Sequence, residues 1–270
     1  MAIRYLIIIA TALVLSACGT RIVDVDFEEA PADQLWNEAL VLMDSGDYKT
    51  AGAKFMEIDR LHPHTEYGRK AQVMMAFASY SRGNYDSAIQ SGRRFLTLYP
   101  NHDDAAYAQY IVANSYYKQI PDVTRDQQQT NRALAAYERI VEKWPDSEYA
   151  NDARNKVQAT QDQLAGKEME IGRYYLERDE NLAAVSRFRV VVEDYQRTRH
   201  VEEALFRLTE SYYALGLTDE AQTAAAVLGH NFPDSRWYGD AYALLQTGGF
   251  EPNENRASWI SRTFKGFRLL

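Results

Sequence analysis

Residues 83–100 read Gly-Asn-Tyr-Asp-Ser-Ala-Ile-Gln-Ser-Gly-Arg-Arg-Phe-Leu-Thr-Leu-Tyr-Pro. A turn dipeptide opens the stretch and an aromatic–proline step closes it. Between them Ala88, Gly92 and Phe95 are spaced by four and then three, which lays them on one face of a helix. Pro100 cannot continue that helix, and it disfavours helical backbone at Tyr99. The design recurs. His62-Pro63, Trp144-Pro145 and Phe232-Pro233 repeat the closing step, and Tyr195-Gln196 stands in the matching place of a further unit. Twelve residues before the second member of each step lie Ala51, Ala88, Ala133, Ala184 and Ala221. Pro63 to Pro100 and Gln196 to Pro233 are both 37 residues, whereas the two middle intervals are eight and fourteen residues longer.

Each unit needs a partner helix, and small residues mark where one can approach closely. Ala39, Ala76, Ala113 and Gly172 fill that position, with Thr209 a mild departure. Ser45-Gly46-Asp47, Arg82-Gly83-Asn84, Arg178-Asp179-Glu180 and Leu217-Thr218-Asp219 read as the turns within hairpins. Residues such as Asp146-Ser147 or Asn101-His102, just after the proline, are expected to cap the next helix. Across residues 32–238 the pattern resembles the tetratricopeptide repeat, a helix–turn–helix unit of about 34 residues. That resemblance implies an all-α superhelix of five helical hairpins, with first helices lining a concave face. The eight-residue insertion, around Ile120–Gln129, reads as a long exposed loop after Pro121. From Asp146 to about Arg178 no proline intervenes, which predicts one long helix, bent if anywhere near Gly166 or Gly172.

The N-terminus reads as an address. Arg4 supplies a positive start, and Tyr5 to Leu15 is an apolar run, shorter than the roughly 20 residues needed to span a bilayer. Leu15-Ser16-Ala17-Cys18 resembles the bacterial lipobox, in which the cysteine thiol takes a diacylglyceryl group and cleavage before the cysteine then frees its amine. Residues 1–17 are then a lipoprotein signal peptide, 18–31 a lipid-anchored tether, 32–238 the repeat array, and 239–270 a capping helix with a basic amphipathic tail. Gly19 in place of Asp favours the outer membrane, by resemblance to Gram-negative lipoproteins. Cys18 is the only cysteine, so no internal disulfide supports the fold.

Composition narrows the function classes. With 30 Lys+Arg against 38 Asp+Glu the net charge is −8, which argues against a general nucleic-acid binder. There is no glycine-rich phosphate loop, no Gly-x-Ser-x-Gly and no His-Glu-x-x-His. His62 and His64 flank Pro63, which breaks the helical spacing that would aim both at one metal. The expectation is a chain with no catalytic residues, no metal and no cofactor.

Tyrosine stands out, with 19 residues. Tyr80, Tyr107, Tyr110, Tyr116, Tyr117, Tyr174, Tyr175, Tyr212 and Tyr213 fall on or beside first helices. They either pack between hairpins with hydroxyls at the rim or line a peptide groove. In the tail, Ile260, Phe264 and Phe267 share one helical face, and Arg262, Lys265 and Arg268 step along another. This segment reads as a partner- or membrane-binding helix or as a disordered tail, and both readings stand at this point.

Several segments together resemble the family of outer-membrane β-barrel assembly lipoproteins, the BamD family. Trp144-Pro145-Asp146-Ser147-Glu148-Tyr149, Asp122-Val123-Thr124-Arg125-Asp126 and Gly172-Arg173-Tyr174-Tyr175-Leu176-Glu177-Arg178 carry the resemblance, with Tyr67 following Pro63. His64-Thr65-Glu66 departs from the family's Phe-Gly-Pro, as Gln196 does from its proline, and the tail is longer. The resemblance implies a lipid-anchored periplasmic scaffold that contacts the barrel subunit BamA, accessory lipoproteins and unfolded outer-membrane proteins. It offers Tyr67, Tyr80, Tyr107 and Tyr116 as peptide-groove candidates, and Arg187, Asp122 and Arg125 as BamA-contact candidates. A pilotin-type repeat lipoprotein of a secretion or pilus system is the alternative. A superhelical peptidoglycan lyase would need a catalytic domain, for which 239–270 leaves little room.

Overall fold

Turn chemistry sets the helix bounds, and the computed structural model describes residues 30–265. The signal peptide, Cys18 and most of the tether lie outside the described residues. The helices are α1 Ala32–Asp44, α2 Tyr48–Leu61, α3 Glu66–Ser81, α4 Tyr85–Leu98, α5 Ala105–Tyr117 and α6 Gln128–Lys143. They continue as α7 Ala150–Leu176, α8 Asn181–Asp194, α9 Val201–Ala214, α10 Thr218–Asn231, α11 Arg236–Thr247 and α12 Trp259–Phe264. Among the described residues there is no strand. The protein is all-α, and from α1 to α10 each helix packs chiefly on its neighbours in sequence.

Gly83 shows how one helix hands over to the next. It adopts φ +77°, a left-handed backbone that glycine reaches without a Cβ penalty. Its N–H donates to the Tyr80 carbonyl at 2.9 Å, and the Asn84 N–H donates to the Ser79 carbonyl at 2.9 Å. This closes the helix in a Schellman motif. Asn84 then caps α4, accepting from the Ser87 amide at 3.2 Å. The same pair of bonds closes α1 at Gly46 and α9 at Gly216. The α9–α10 turn thus pivots one residue before the predicted Leu217-Thr218-Asp219. At the end of α7 the left-handed residue is Asp179, at φ 61°.

The aromatic residue of each closing step is a helix C-cap. His62, Tyr99, Trp144, Tyr195 and Phe232 share φ between −128° and −136°, and each N–H donates four residues back. Tyr195 does so without a proline behind it. Capping after the proline meets expectation at some junctions and not at others. Thr65 accepts from the Gly68 amide at 3.0 Å. Ser235 accepts from the Trp237 amide at 3.3 Å. Ser147 instead donates back to the Trp144 carbonyl, and α5 and α7 start without a side-chain cap.

Ala51, Ala88, Ala133, Ala184 and Ala221 are all fully buried, as are Ala39, Ala76, Ala113 and Thr209. A Cβ on Gly172 would stand 2.4 Å from the Phe188 ring, so α7 and α8 approach as closely as glycine allows. The 27-residue α7 is the predicted long helix, roughly 40 Å from end to end.

Two segments add to the sequence reading. The insertion after Pro121 is exposed along Asp122, Thr124, Arg125 and Asp126, as expected, and it is also stitched down. Gln127 is buried and donates to the Asp122 and Arg125 carbonyls, while Lys167 and Gln163 of α7 donate to the Thr124 and Pro121 carbonyls. The tail's apolar face is consumed inside the molecule: Ile260 is fully buried and Phe264 nearly so, in the core shared by α8, α9 and α10. Through residue 265 it is neither a detached tail nor a helix with a free apolar face, and Phe267 lies outside the described residues. Residue 238, where the repeat reading ended, falls within α11.

Candidate partner-binding surfaces

The first helices place their aromatics by one rule. At three of the five units the residue three before the small position meets the residue four after the closing proline. Trp36 of α1 packs on Tyr67 of α3 (centroids 5.7 Å), Tyr110 of α5 stacks on Tyr149 (4.9 Å, 29°), and Phe206 of α9 stacks on Trp237 of α11 (5.3 Å, 25°). Such pairs add about 0.5–1.5 kcal/mol each beyond area burial. Tyr149 entered the sequence reading only within the segment 144–149 and Trp237 not at all, although their spacing from the proline is that of Tyr67 and would have offered both as site residues.

Of the groove candidates, Tyr67 is exposed at 38%. Tyr107 is half-buried between Phe77 (6.1 Å) and Tyr149 (5.4 Å), and burial pushes its phenol up to about 12. Tyr80 packs on Tyr85 (5.8 Å) and against the same core cluster as Tyr107. Tyr116 does not join them. Nine residues after Tyr107 it points half a turn away, and it lines a cavity with Arg93 and Arg139. Two neighbouring hydroxyls are engaged: Tyr110 donates to Asp152 at 2.8 Å and Tyr137 to Asn114 at 2.7 Å.

The second set of candidates meets at α7. Asp122 accepts from the Thr124 amide (2.9 Å) and hydroxyl (2.7 Å), and these bonds hold its carboxyl below the usual range. Arg125 is exposed on the same loop. Arg187 of α8 pairs with Glu168 at 3.2 Å. The loop's anchor, Lys167, is the neighbour of Glu168, so α7 braces both candidates through consecutive residues. Among the described residues no three His, Cys, Asp or Glu side chains gather to hold a metal, and no helix is long and apolar enough to cross a membrane.

The profile of the family YfiO, outer membrane lipoprotein, matches residues 28–228. An outer membrane protein assembly factor BamD of Caulobacter vibrioides is 46% identical over 226 residues, covering 84% of this chain and 74% of the relative. Its counterpart from Rickettsia prowazekii is 40% identical over 239 residues, covering 88% and 95%. Among solved structures, the type IV pilus biogenesis factor PilW aligns at 16% identity with a TM-score of 0.34, covering 77% of this chain and 97% of that one. That superposition is too loose to build on.

Proposed function

From the premise that the chain belongs to the YfiO family, the BamD-type outer membrane protein assembly factors, we propose that it is a lipid-anchored, non-enzymatic periplasmic scaffold of β-barrel insertion. Its described residues form helical hairpins packed in series, which suits holding other proteins in place. Lipidation of Cys18 would tether it to the outer membrane with a second chain or more, since one acyl chain alone binds only marginally.

In this reading the first-helix surface around Tyr67 receives extended targeting segments of unfolded barrel proteins. A rigid apolar ring with a polar tip suits such segments. Asp122, Arg125 and Arg187 contact the BamA-like subunit, and accessory lipoproteins complete the assembly. The observation that supports this second contact most directly is the bracing of both groups by Lys167 and Glu168 of one long helix. The test is site-specific crosslinking from Tyr67 and from Arg187 in intact envelopes. Expected adducts are barrel precursors from Tyr67 and the barrel subunit from Arg187. An Arg187→Glu chain that still co-purifies with the barrel subunit in full yield would refute the second assignment. Exposed pairs such as Arg187–Glu168 contribute about 0–1 kcal/mol, so that variant should fold.

A further inference from the structure

The chain carries an example of what one of its own grooves can hold. The second helices α8 and α10, with α9 beneath, form a groove that α12 fills. Trp259 Nε1 donates to the Tyr212 hydroxyl at 3.2 Å, and the Arg189 guanidinium lies 4.7 Å over the Trp259 ring. Ser258 donates to Glu220 at 2.6 Å. Ile260 and Phe264 are buried in one core with Val192, Leu205 and Val227.

The fully buried alanines fix the register between repeats: Ala51 answers to Ala184, and Ala88 to Ala221, each 133 residues apart. Applying that offset to the filled groove leads to α2 and α4 over α3. There Met56 stands for Arg189, Ser79 for Tyr212 and Ser87 for Glu220. All three line one open cavity of about 550 Å³, and the equivalents of the apolar floor line it too. That floor is polar here, with Asp59 for Val192, Gln72 for Leu205 and Arg94 for Val227. Gln72 donates to Asp59 at 2.6 Å, and Arg94 pairs with Asp59 at 3.5 Å.

Two observations point to a ligand. Gln72 is only 5% exposed, and its Oε1 is buried without a hydrogen-bond partner. A buried orphan acceptor is costly enough to need an explanation. The walls also bear Lys49, Arg82 and Arg94 against the single carboxylate of Asp59, on a chain of net charge −8. A second cavity, also walled by α4, bears Arg93, Arg132 and Arg139. Met56, 58% exposed, offers an adaptable apolar wall.

We propose that the groove between α2 and α4 receives a short acidic, amphipathic peptide segment of a partner protein, seated as α12 is seated in the equivalent groove. An apolar side chain rests on Met56 and Met75, an N–H of the segment satisfies Gln72 Oε1, and its carboxylates face Lys49 and Arg82. The site is separate from the first-helix surface around Tyr67 and does not depend on it.

The probe is the decapeptide spanning Asn255–Phe264 with glutamate at both arginine positions, fluorescently labelled and titrated into the full chain. The acidic peptide is expected to bind, and the unaltered decapeptide to bind more weakly. Lys49→Glu/Arg82→Glu, both at exposed positions, should weaken the acidic peptide about tenfold. Gln72→Leu, which copies Leu205, should weaken it severalfold; because it also strips Asp59 of its amide donor, circular dichroism at the assay temperature checks that the variant is folded. No binding of the acidic peptide, or binding indifferent to the charge reversal, overturns the proposal. A dimer of this chain that the same substitutions dissociate would give the groove to a second copy. Binding of phosphatidylglycerol vesicles, lost on charge reversal while no peptide binds, would give it to a lipid surface. Either outcome overturns the partner reading.

Discussion

Replacing Gly172 by alanine puts a methyl group where the Phe188 ring already stands. The new Cβ would lie 2.4, 2.7 and 2.8 Å from three ring carbons, against an ordinary carbon–carbon contact of about 3.5–4.0 Å. Phe188 is fully buried, so the ring cannot swing into solvent. Overpacking of this kind costs about 1–3 kcal/mol. The helix itself gains about 1 kcal/mol from exchanging glycine for alanine, so the net change is roughly 0–2 kcal/mol of destabilisation. Gly52 supplies the control. It also lies within a helix, but a Cβ there meets only the Ala78 methyl, at 3.7 Å. Gly52→Ala should therefore stabilise by about 1 kcal/mol. The propensity gain is common to both variants, so their difference isolates the steric cost of about 1–3 kcal/mol. At roughly 2–4 °C per kcal/mol the melting temperatures should separate by several degrees. Repeat arrays can unfold in steps, so urea midpoints by circular dichroism and by tryptophan fluorescence should be compared. A Gly172→Ala protein as stable as Gly52→Ala would refute the close approach of α7 and α8.

Asp179→Gly should raise stability by about 1 kcal/mol, because it removes a Cβ from a left-handed backbone position that glycine fills in the other turns; a lowered urea midpoint would contradict this. Alkali should unfold the protein. Burial raises the phenols of Tyr80, Tyr110, Tyr195 and Tyr212 and takes Tyr107 to about 12, from an ordinary value of 10.0. The unfolded chain ionises first, so stability is full below pH 10 and falls as pH rises toward 12. Absorbance at 295 nm should show these tyrosines ionising together with the loss of helical ellipticity, and their smooth ionisation near pH 10 with helices intact would refute the burial argument.

Much of this architecture can be read from local chemistry. A proline forbids helix at one place, a glycine or asparagine closes it at another, and a buried alanine marks where two helices touch. Each acts within a few residues, so helix bounds and the long α7 follow from the chain alone. What escaped depends on how helices rotate against one another. Gln127 looks like one more polar residue of an exposed loop, yet its amide finds three carbonyls of that loop by turning inward. Ile260 and Phe264 carry the same amphipathic signal whether they meet a partner, a membrane or their own α8 and α10. Tyr116 is a different case. It lies nine residues beyond Tyr107, and at 100° per residue the two face opposite ways, so helical geometry alone would have separated them.

The aromatic pairs change what tyrosine-rich means for binding. At the three junctions joined by Trp36–Tyr67, Tyr110–Tyr149 and Phe206–Trp237 the rings pack on one another, stacked in the last two and tilted in the first. Tyr107 stacks on Tyr149 and meets Phe77 at a tilt of 47°. A ring held by two others has less of itself to offer a ligand. Loss of binding on truncating Tyr107 would therefore report first on the packing of α3, α5 and the entrance to α7. Tyr67 differs because more than a third of its surface stays open beside its contact with Trp36. In the proposed reading, a segment docking on this side would set a further ring beside the Trp36–Tyr67 pair, as Tyr149 sets one beside Tyr107. An aromatic residue in such a segment would suit that surface, and loss of Tyr67 should then be felt in affinity before it is felt in stability.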